Sequence, residues 1–314
     1  MSDYLKSLEK HASETLKPAV EGQLTATERI ALFKRFLNIE EERILMRHRS
    51  GAGGLEIARN RASLIDTILS AILKTSINSL KGSSKLPISL VATGGYGRSL
   101  LNPRSDIDIL FLLPRASNKL PQALQDLVQD ILYLLWDMGF KVGHACRSIS
   151  ECIEQARLEQ ENKTSLMDAR LVCGDAELFE NFQTRFAKEC IDKGQSAFFE
   201  LRRQDMRSRH EKYSHTVFLQ EPNVKESCGG LRDYQSIQWV ARVKRGSSRL
   251  EDLVECKLLT AAAFRELEAA YDFIHRVRNE LHLQKKRPTD VLDLEAQPRI
   301  ALGLGYANSN MLGR

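Results

Sequence analysis

The sequence predicts an α+β fold: a short mixed sheet with flanking helices, braced by N-terminal helices and followed by a helical domain. Three observations carry that expectation. Within VATGGYGRSLLNPRSDIDILFLL (Val91–Leu113) an apolar run enters a double glycine and a second apolar run opens on two aspartates, which reads as strand, glycine turn, short linker, strand. A helical stripe then leads into the alternating FKVGHACRSI (Phe140–Ile149), the next strand. On either side, before Pro87 and beyond Ser150, apolar residues recur at helical spacing instead. Punctuation divides the chain into an N-terminal helical brace (1–82), the sheet-bearing domain (83–173) and a helical domain (174–314).

Taken in order, Ile30, Phe33, Leu37, Ile44 and Leu45 approximate a helix after Thr27, a candidate N-cap before Glu28, and the run stops at Ser50-Gly-Ala-Gly-Gly. A second helix, Leu55 to Leu80, carries Ile57, Leu64, Ile65, Ile68, Ile72 and Leu73 and meets the loop signal GSSKLP. After the aspartate strand, Pro121 suits a first helical turn, and Leu124, Leu127, Val128, Ile131, Leu135 and Met138 form one stripe ending at Gly139. Ser150 and Thr164 or Ser165 are candidate N-caps, Gly174 a C-cap, and Asp175 opens a pattern with Leu178, Phe182 and Phe186. Leu231, Tyr234, Ile237 and Ala241 give the buried face of a helix ended by Gly246. Thr260 caps a long helix through Lys286, with Phe264, Leu267, Tyr271, Ile274, Val277 and Leu281 on its stripe; Arg276, Arg278 and His282 lie off it, where solvent is the default.

Composition excludes several classes. No apolar run approaches the roughly 18 residues of a membrane span, and MSDYLKSLEKHASE has neither the apolar core of a signal peptide nor the acid-poor character of a transit peptide. A net charge of +5 is mild for 314 residues and comes without aromatic-interleaved basic stripes, so nucleic acid is not expected as partner. Six cysteines without a CxxC pair fit a cytoplasmic protein with reduced thiols, no disulfide and no zinc.

The chemistry is concentrated at the two strands. Residues two apart on a strand share a face, so Asp106 and Asp108 present paired carboxylates while Ile107, Ile109 and Phe111 point into the core. Paired hard oxygens suit Mg²⁺, which keeps waters and bridges to substrate phosphates. Gly94 and Gly95 lack the Cβ that would hold a phosphate away from backbone N–H groups. A short helix from Tyr96 to Leu100 would add a dipole, and Arg98 a full positive charge. Farther on, Lys225, the Gly229-Gly230 turn and Arg232-Asp233 at a helix start combine phosphate-friendly backbone with fixed charges. The basic LRRQDMRSRHEKY (Leu201–Tyr213) reads first as a solvated helix face and second as the border of a binding surface.

A double glycine, a spacer and DxD resemble the signature of the polymerase-β-like nucleotidyltransferases. GGYGRSLLNPRSDIDIL (Gly94–Leu110) is similar, more narrowly, to the enzymes that uridylylate the PII nitrogen-signalling protein, and more distantly to the adenylyltransferase of glutamine synthetase. NVKESCGGLRDYQSIQWVAR (Asn223–Arg242) and FIHRVRNELHLQKKR (Phe273–Arg287) resemble the same branch, so the likeness runs from about residue 25 to the end. It implies a polymerase-β-like catalytic domain that transfers UMP from UTP to a tyrosine of a PII-like protein and releases pyrophosphate. Asp106 and Asp108 would hold Mg²⁺, Gly94 and Gly95 would seat the triphosphate, and Gly229, Gly230, Arg232 and Asp233 would line the cleft opposite the aspartates.

The sequence departs from that pattern at two places. Cys228 stands where the family usually has proline before the glycines, and Gly143 and His144 occupy the strand that often supplies a third carboxylate. The PII-modifying branch keeps the histidine, so the general base is unassigned, with His144 a candidate or a structural hydrogen-bonder. Other readings are adenylyl transfer to glutamine synthetase, or a truncated paralogue that binds PII or nucleotide without turnover. The resembled enzymes continue into a His-Asp hydrolase domain and two ligand-sensing domains. No histidine here precedes an aspartate, so transfer without removal is the expectation, and glutamine sensing is not expected because the domains the resemblance assigns to it would lie beyond Arg314.

Overall fold

The computed structural model describes residues 3–22, 24–79, 86–116 and 120–306. They form two compact units: the first comprises the residues up to Met46, Arg59–Leu101 and Ser105–Cys190, and the second Arg47–Ala58, Asn102–Arg104 and the described residues from Ile191 onward. Packing thus groups the N-terminal helices with the sheet, whereas the division at 82 and 173 follows punctuation along the chain. Among the described residues no helix is long and apolar enough to cross a membrane.

The first unit opens with α1 (Asp3–Thr15), α2 (Lys17–Val20), most of α3 (Ala26–Arg49) and most of α4 (Gly54–Ser79). Then come β1 (Ser89–Ala92), the single turn α5 (Gly94–Gly97), β2 (Ile107–Leu113), α6 (Gln122–Asp137), β3 (Val142–Ser148), α7 (Ile149–Leu158), α8 (Gln160–Met167), β4 (Arg170–Gly174) and α9 (Ala176–Phe186), which runs into a π-helical turn at Ala187–Ile191. The strands form one mixed sheet in the order β3-β2-β1-β4. β1 pairs antiparallel with β2 and β4, and β2 pairs parallel with β3. β2 is interior to the sheet, and Ile109 to Leu113 are buried without alternation, as expected of a strand covered on both faces. α9 lies against β1, β2 and β4, and α6 against β3.

Several boundaries differ from the sequence expectation, each for a local reason. The cap of α3 is Thr25: its N–H and hydroxyl donate to the Glu28 carboxylate at 2.9 and 2.7 Å, a capping box that displaces Thr27 into the helix. Ser148, not Ser150, caps α7, donating its N–H to Glu151 at 2.7 Å while its Oγ accepts from the Glu151 N–H at 3.3 Å. Thr164 and Ser165 lie inside α8. Gly174 ends a strand that periodicity did not reveal, since RLVCG is too short to alternate; its φ of +104° and a close approach to the Ile88 carbonyl oxygen leave no room for a side chain. Leu80 and most of the GSSKLP loop fall outside the described residues.

The second unit holds α10 (Gln195–Lys212), α11 (Leu231–Arg245), α12 (Glu251–Glu255), α13 (Ala261–Lys285) and α14 (Gln297–Gly303). Its core includes Val277, Leu281, Ala296, Ile300 and Leu304. Thr260 caps α13 as expected, accepting from the Ala263 N–H at 3.1 Å. On α11, Tyr234, Trp239 and Val243 are buried and Ile237 is exposed; Tyr234 stacks on Tyr271 of α13 at 3.6 Å.

Removing the α7 cap tests this local account. Ser148→Ala should lower the unfolding free energy by about 1 kcal/mol, read as a shifted denaturant midpoint at unchanged slope. An unchanged midpoint would contradict it.

Candidate active site

The double glycine and the aspartate strand are hydrogen-bonded neighbours. At the end of β1 the Thr93 N–H donates to the Asp108 carbonyl at 3.1 Å, so the glycine turn starts directly beside the second aspartate. Gly94 has φ +55°, a conformation that a side chain disfavours, and an added Cβ would stand 3.6 Å from Asp108 Oδ2 and 3.8 Å from Ser165 Oγ. A side chain here would therefore stand between a carboxylate and a hydroxyl, and glycine leaves that space open. The helical turn begins at Gly94, so Gly94, Gly95 and Tyr96 carry the N–H groups that a helix start leaves without intrahelical acceptors. Asp106 immediately precedes β2, Asp108 is its second residue, and both are exposed while Ile107, Ile109 and Phe111 are buried.

The turn is anchored from below. Tyr96 is buried and donates its hydroxyl to Asp66 Oδ1 at 2.6 Å; Arg170 of β4 grips the same carboxylate at 2.9 and 3.0 Å and lies 5.4 Å over the Tyr96 ring. Burial, and then the Asp66 charge, raise the Tyr96 hydroxyl well above its usual range, so it remains a donor. Arg98 is drawn away from the role given to it by charge alone: its guanidinium pairs with Asp168 at the end of α8, with both side chains largely buried. Gly97 approaches the Asp168 carbonyl too closely for any side chain. These contacts hold α8, and with it Ser165, against the glycine turn.

On β3, register decides the fate of the two residues standing in place of an acid. Asp108 pairs with Gly143 and Ile109 with His144, so His144 lies on the Ile109 face, edge-on to Trp136 at 6.1 Å. This removes His144 as a general base beside Asp108. Gly143 is the informative neighbour, since a Cβ there would lie 2.5 Å from Asp108 Oδ1. Among the described residues no three His, Cys, Asp or Glu side chains converge as a metal cage. Two carboxylates at an open recess fit Mg²⁺, whose remaining positions go to water and phosphate oxygens.

Gly143→Ala should force the Asp108 carboxylate aside and lower turnover by roughly 10- to 100-fold, as expected for a misplaced reactive geometry, with the far-ultraviolet circular dichroism unchanged. Wild-type turnover would show that the bare position is incidental.

The second unit gathers the other residues that the sequence singled out. Asn223 Oδ1 accepts from the Lys225 and Glu226 N–H groups at 3.0 and 2.8 Å, and Gly229, with φ +76°, donates its N–H to Asp233 Oδ2 at 2.8 Å. Arg209 and His210 of α10 reach the same carboxylate, His210 at 3.1 Å, and Arg209 also donates to the Glu226 carbonyl at 2.8 Å. Part of the basic segment is thereby a clasp on this loop, which replaces the rigidity that Cys228 does not supply. Gly230 is bare because a Cβ would sit 2.9 Å from the Lys225 and Ser227 carbonyl oxygens. Arg232 pairs with Glu226 at 3.1 Å and lies 5.5 Å over the Trp239 ring. Lys225 stays about a third exposed, 3.9 Å from the Glu226 carboxylate; burial first, then the nearby Arg278 and Arg232 charges, lower its pKa against the opposing pull of Asp290 and Glu226.

Burial works against the Asp233 carboxylate, but its bonds from Arg209, Gly229 and His210 prevail and hold its pKa below the ordinary 3.8. A depressed carboxyl stabilises the fold above that value and loses its contribution as pH falls through the native pKa. Asp233→Asn should therefore be less stable than wild type near pH 6 and lose less stability on acidification to about pH 2.5, measured by denaturant midpoints. Parallel losses in both proteins would refute the clasp.

Comparison with known proteins agrees with this layout. The family model described as "Nucleotidyltransferase domain" matches residues 73–173, and that described as "GlnD PII-uridylyltransferase" matches residues 197–313. Proteins named bifunctional uridylyltransferase/uridylyl-removing enzyme are similar over most of the chain: 38% identity over 281 residues in Methylococcus capsulatus, 35% over 270 in Rhodopseudomonas palustris and 39% over 233 in Vibrio atlanticus. The chain belongs to the PII-uridylyltransferase family. These matches cover 90%, 86% and 74% of the chain but 31%, 29% and 26% of the respective relatives. The uridylyltransferase-like sequence thus corresponds to the nucleotidyltransferase part, with the glycine turn and both aspartates inside the first matched segment and Lys225 to Asp233 inside the second.

In the first unit Ser165, Asp168 and Tyr96, and in the second Arg209, make contacts that sequence reasoning missed or placed elsewhere. Ser165 follows Gln160–Thr164 without a break in α8, so its reading as a cap was the error; Asp168 carries no local signal at all.

Proposed function

We propose that this chain transfers UMP from UTP to a tyrosine hydroxyl of a PII-type regulatory protein, with Asp106 and Asp108 as the metal-holding carboxylates. The recess at Gly94, bounded by Asp108 Oδ2 and Ser165 Oγ and floored by the first N–H groups of α5, carries the reading. A bare glycine between a carboxylate and a hydroxyl leaves room for a phosphate beside a metal, which supports the reading. The family match and the names of the relatives support uridylyl transfer on a PII protein as the reaction. The free cysteines fit a reducing cytoplasm.

In the proposed step the acceptor oxygen forms a bond to the α-phosphorus, the bridging bond from that phosphorus to the β-phosphate breaks, pyrophosphate leaves with the electron pair, and the hydroxyl proton passes to solvent. Mg²⁺ bound at the carboxylates supplies electrostatic stabilisation of the phosphates. Gly94 and Gly95 present backbone N–H donors to the triphosphate; Ser165 offers a hydroxyl to the same recess; Tyr96, Asp66 and Arg170 keep the turn in place; Arg98, through Asp168, keeps α8 in place. In the second unit Asp233, Gly229 and Gly230 shape their loop, and Lys225 and Arg232 offer positive charge to an anionic ligand. Positioning and charge stabilisation supply most of the catalysis of a phosphoryl-type transfer.

The test is incubation with Mg²⁺, each labelled nucleoside triphosphate and a PII-type acceptor, read by acceptor mass. The acceptor should gain UMP from UTP, and Asp106→Asn or Asp108→Asn should each retain less than about a tenth of that activity while remaining folded. Label from ATP only, or full activity in both variants, would contradict the proposal.

A further inference from the structure

One edge of the sheet in the first unit lies open beside the aspartates. Among the described residues β3 pairs with β2 alone and is an outermost strand. An edge strand presents a row of unpaired N–H and C=O groups, and proteins commonly guard such edges with short strands, proline or irregular pairing. The opposite edge follows that pattern: β4 is five residues long, and its pairing with β1 is interrupted between Leu90 and Val91. β3 does not. It runs seven residues, VGHACRS, in unbroken parallel register with β2 and without proline, and Gly143 and His144 are exposed. On the His144 face Trp136 of α6 lies edge-on to the imidazole at 6.1 Å, and Tyr133 edge-on to Trp136 at 5.8 Å. These two aromatic side chains are 45% and 59% exposed. Lys141 is exposed immediately before the strand and Arg147 is half-buried within it; among the described residues neither forms an ion pair.

Register ties this edge to the carboxylates. Gly143 lies opposite Asp108 and carries no side chain, so β3 puts nothing but backbone between its outer edge and the Asp108 carboxylate. A strand added there would run about 5 Å from β3 and about 10 Å from β2. Its side chains would alternate, one set over Gly143 towards Asp108 and the other towards His144, Trp136 and Tyr133. We propose that the β3 edge receives, as an added strand, the segment of the acceptor protein that carries the target tyrosine. The tyrosine takes the Gly143 face, its flanking residues pack on the aromatic pair, and an acidic side chain of the segment meets Lys141 or Arg147. In such strand addition the main-chain hydrogen bonds give affinity and alternate side chains give specificity. The occupant follows from position and charge: a protein hydroxyl has to reach the metal-holding carboxylates, and the open strand beside them is bordered by unpaired cations. The inference rests on the reading of the chain as a uridylyltransferase of a protein tyrosine and adds where that protein docks.

The experiment follows amide hydrogen exchange of the full chain with and without a PII-type acceptor, and measures UMP transfer with acceptor and UTP each varied. Exchange across Val142–Arg147 should slow when the acceptor is added. Trp136→Ala and Lys141→Glu should each raise KM for the acceptor by about 10-fold, the scale of a substantial interface residue, and leave KM for UTP at the wild-type value. Should Trp136→Ala fail to fold, Lys141→Glu and the exchange decide. If wild type transfers UMP while β3 exchanges unchanged, or while both variants keep the wild-type acceptor KM, the docking edge falls and the uridylyltransferase reading stands. Protection of β3 that grows with concentration in the chain alone shows a second copy on the edge and likewise overturns the proposal. If wild type does not modify the acceptor at all, the reading of the reaction falls and the docking edge with it.

Discussion

The hydrogen bond from the Thr93 N–H to the Asp108 carbonyl is the constraint on which the proposed chemistry depends. It extends the antiparallel pairing of β1 and β2 to the point where β1 runs through Thr93 into the glycine turn and β2 opens between its two carboxylates. Strand register then leaves little freedom. Shifting the pairing by one residue would turn Asp108 into the core and Ile109 out of it, so burial of Ile107, Ile109 and Phe111 fixes the exposure of both aspartates. Hydrophobic packing positions the polar site.

Around that bond the protein keeps side chains out of the recess in two ways. Gly94 and Gly143 leave room on two sides of Asp108, and the Tyr96-Asp66-Arg170 set holds the glycine turn. A bare backbone beside a carboxylate has little local stability of its own. The buried Tyr96 hydroxyl and the Arg170 guanidinium share the half-buried Asp66 carboxylate, an arrangement that fixes one geometry in preference to neighbouring ones. The second unit follows the same logic: Gly229 and Gly230 form a loop with no side chains to pack, and Asp233, Arg209 and His210 close it.

What could be read in the sequence was what depends on local period. Paired aspartates two apart at the head of an apolar strand, and a double glycine at the end of the preceding one, carry their own geometry. What could not be read depends on which distant element arrives. Arg98 looked like a phosphate ligand because Asp168, seventy residues on, is invisible locally. His144 looked adjacent to the site because sequence does not reveal to which face a strand neighbour is registered. Arg276 and Arg278 were assigned to solvent by default, whereas Arg276 donates to the Leu304 carbonyl at 2.9 Å and Arg278 reaches Asn102 and Asp290. A polar residue at helical spacing is exposed unless something polar meets it, and that partner belongs to tertiary structure.

The central claim is that one recess beside Asp106 and Asp108 receives both metal and triphosphate. Crystals grown with Mn²⁺ and a non-hydrolysable UTP analogue test it most directly through the anomalous signal of the ion. The account predicts a peak within ligand distance of both carboxylates and of triphosphate oxygens, with the phosphates seated over Gly94. A nucleotide bound away from Gly94, or an ion that touches neither aspartate, would contradict it.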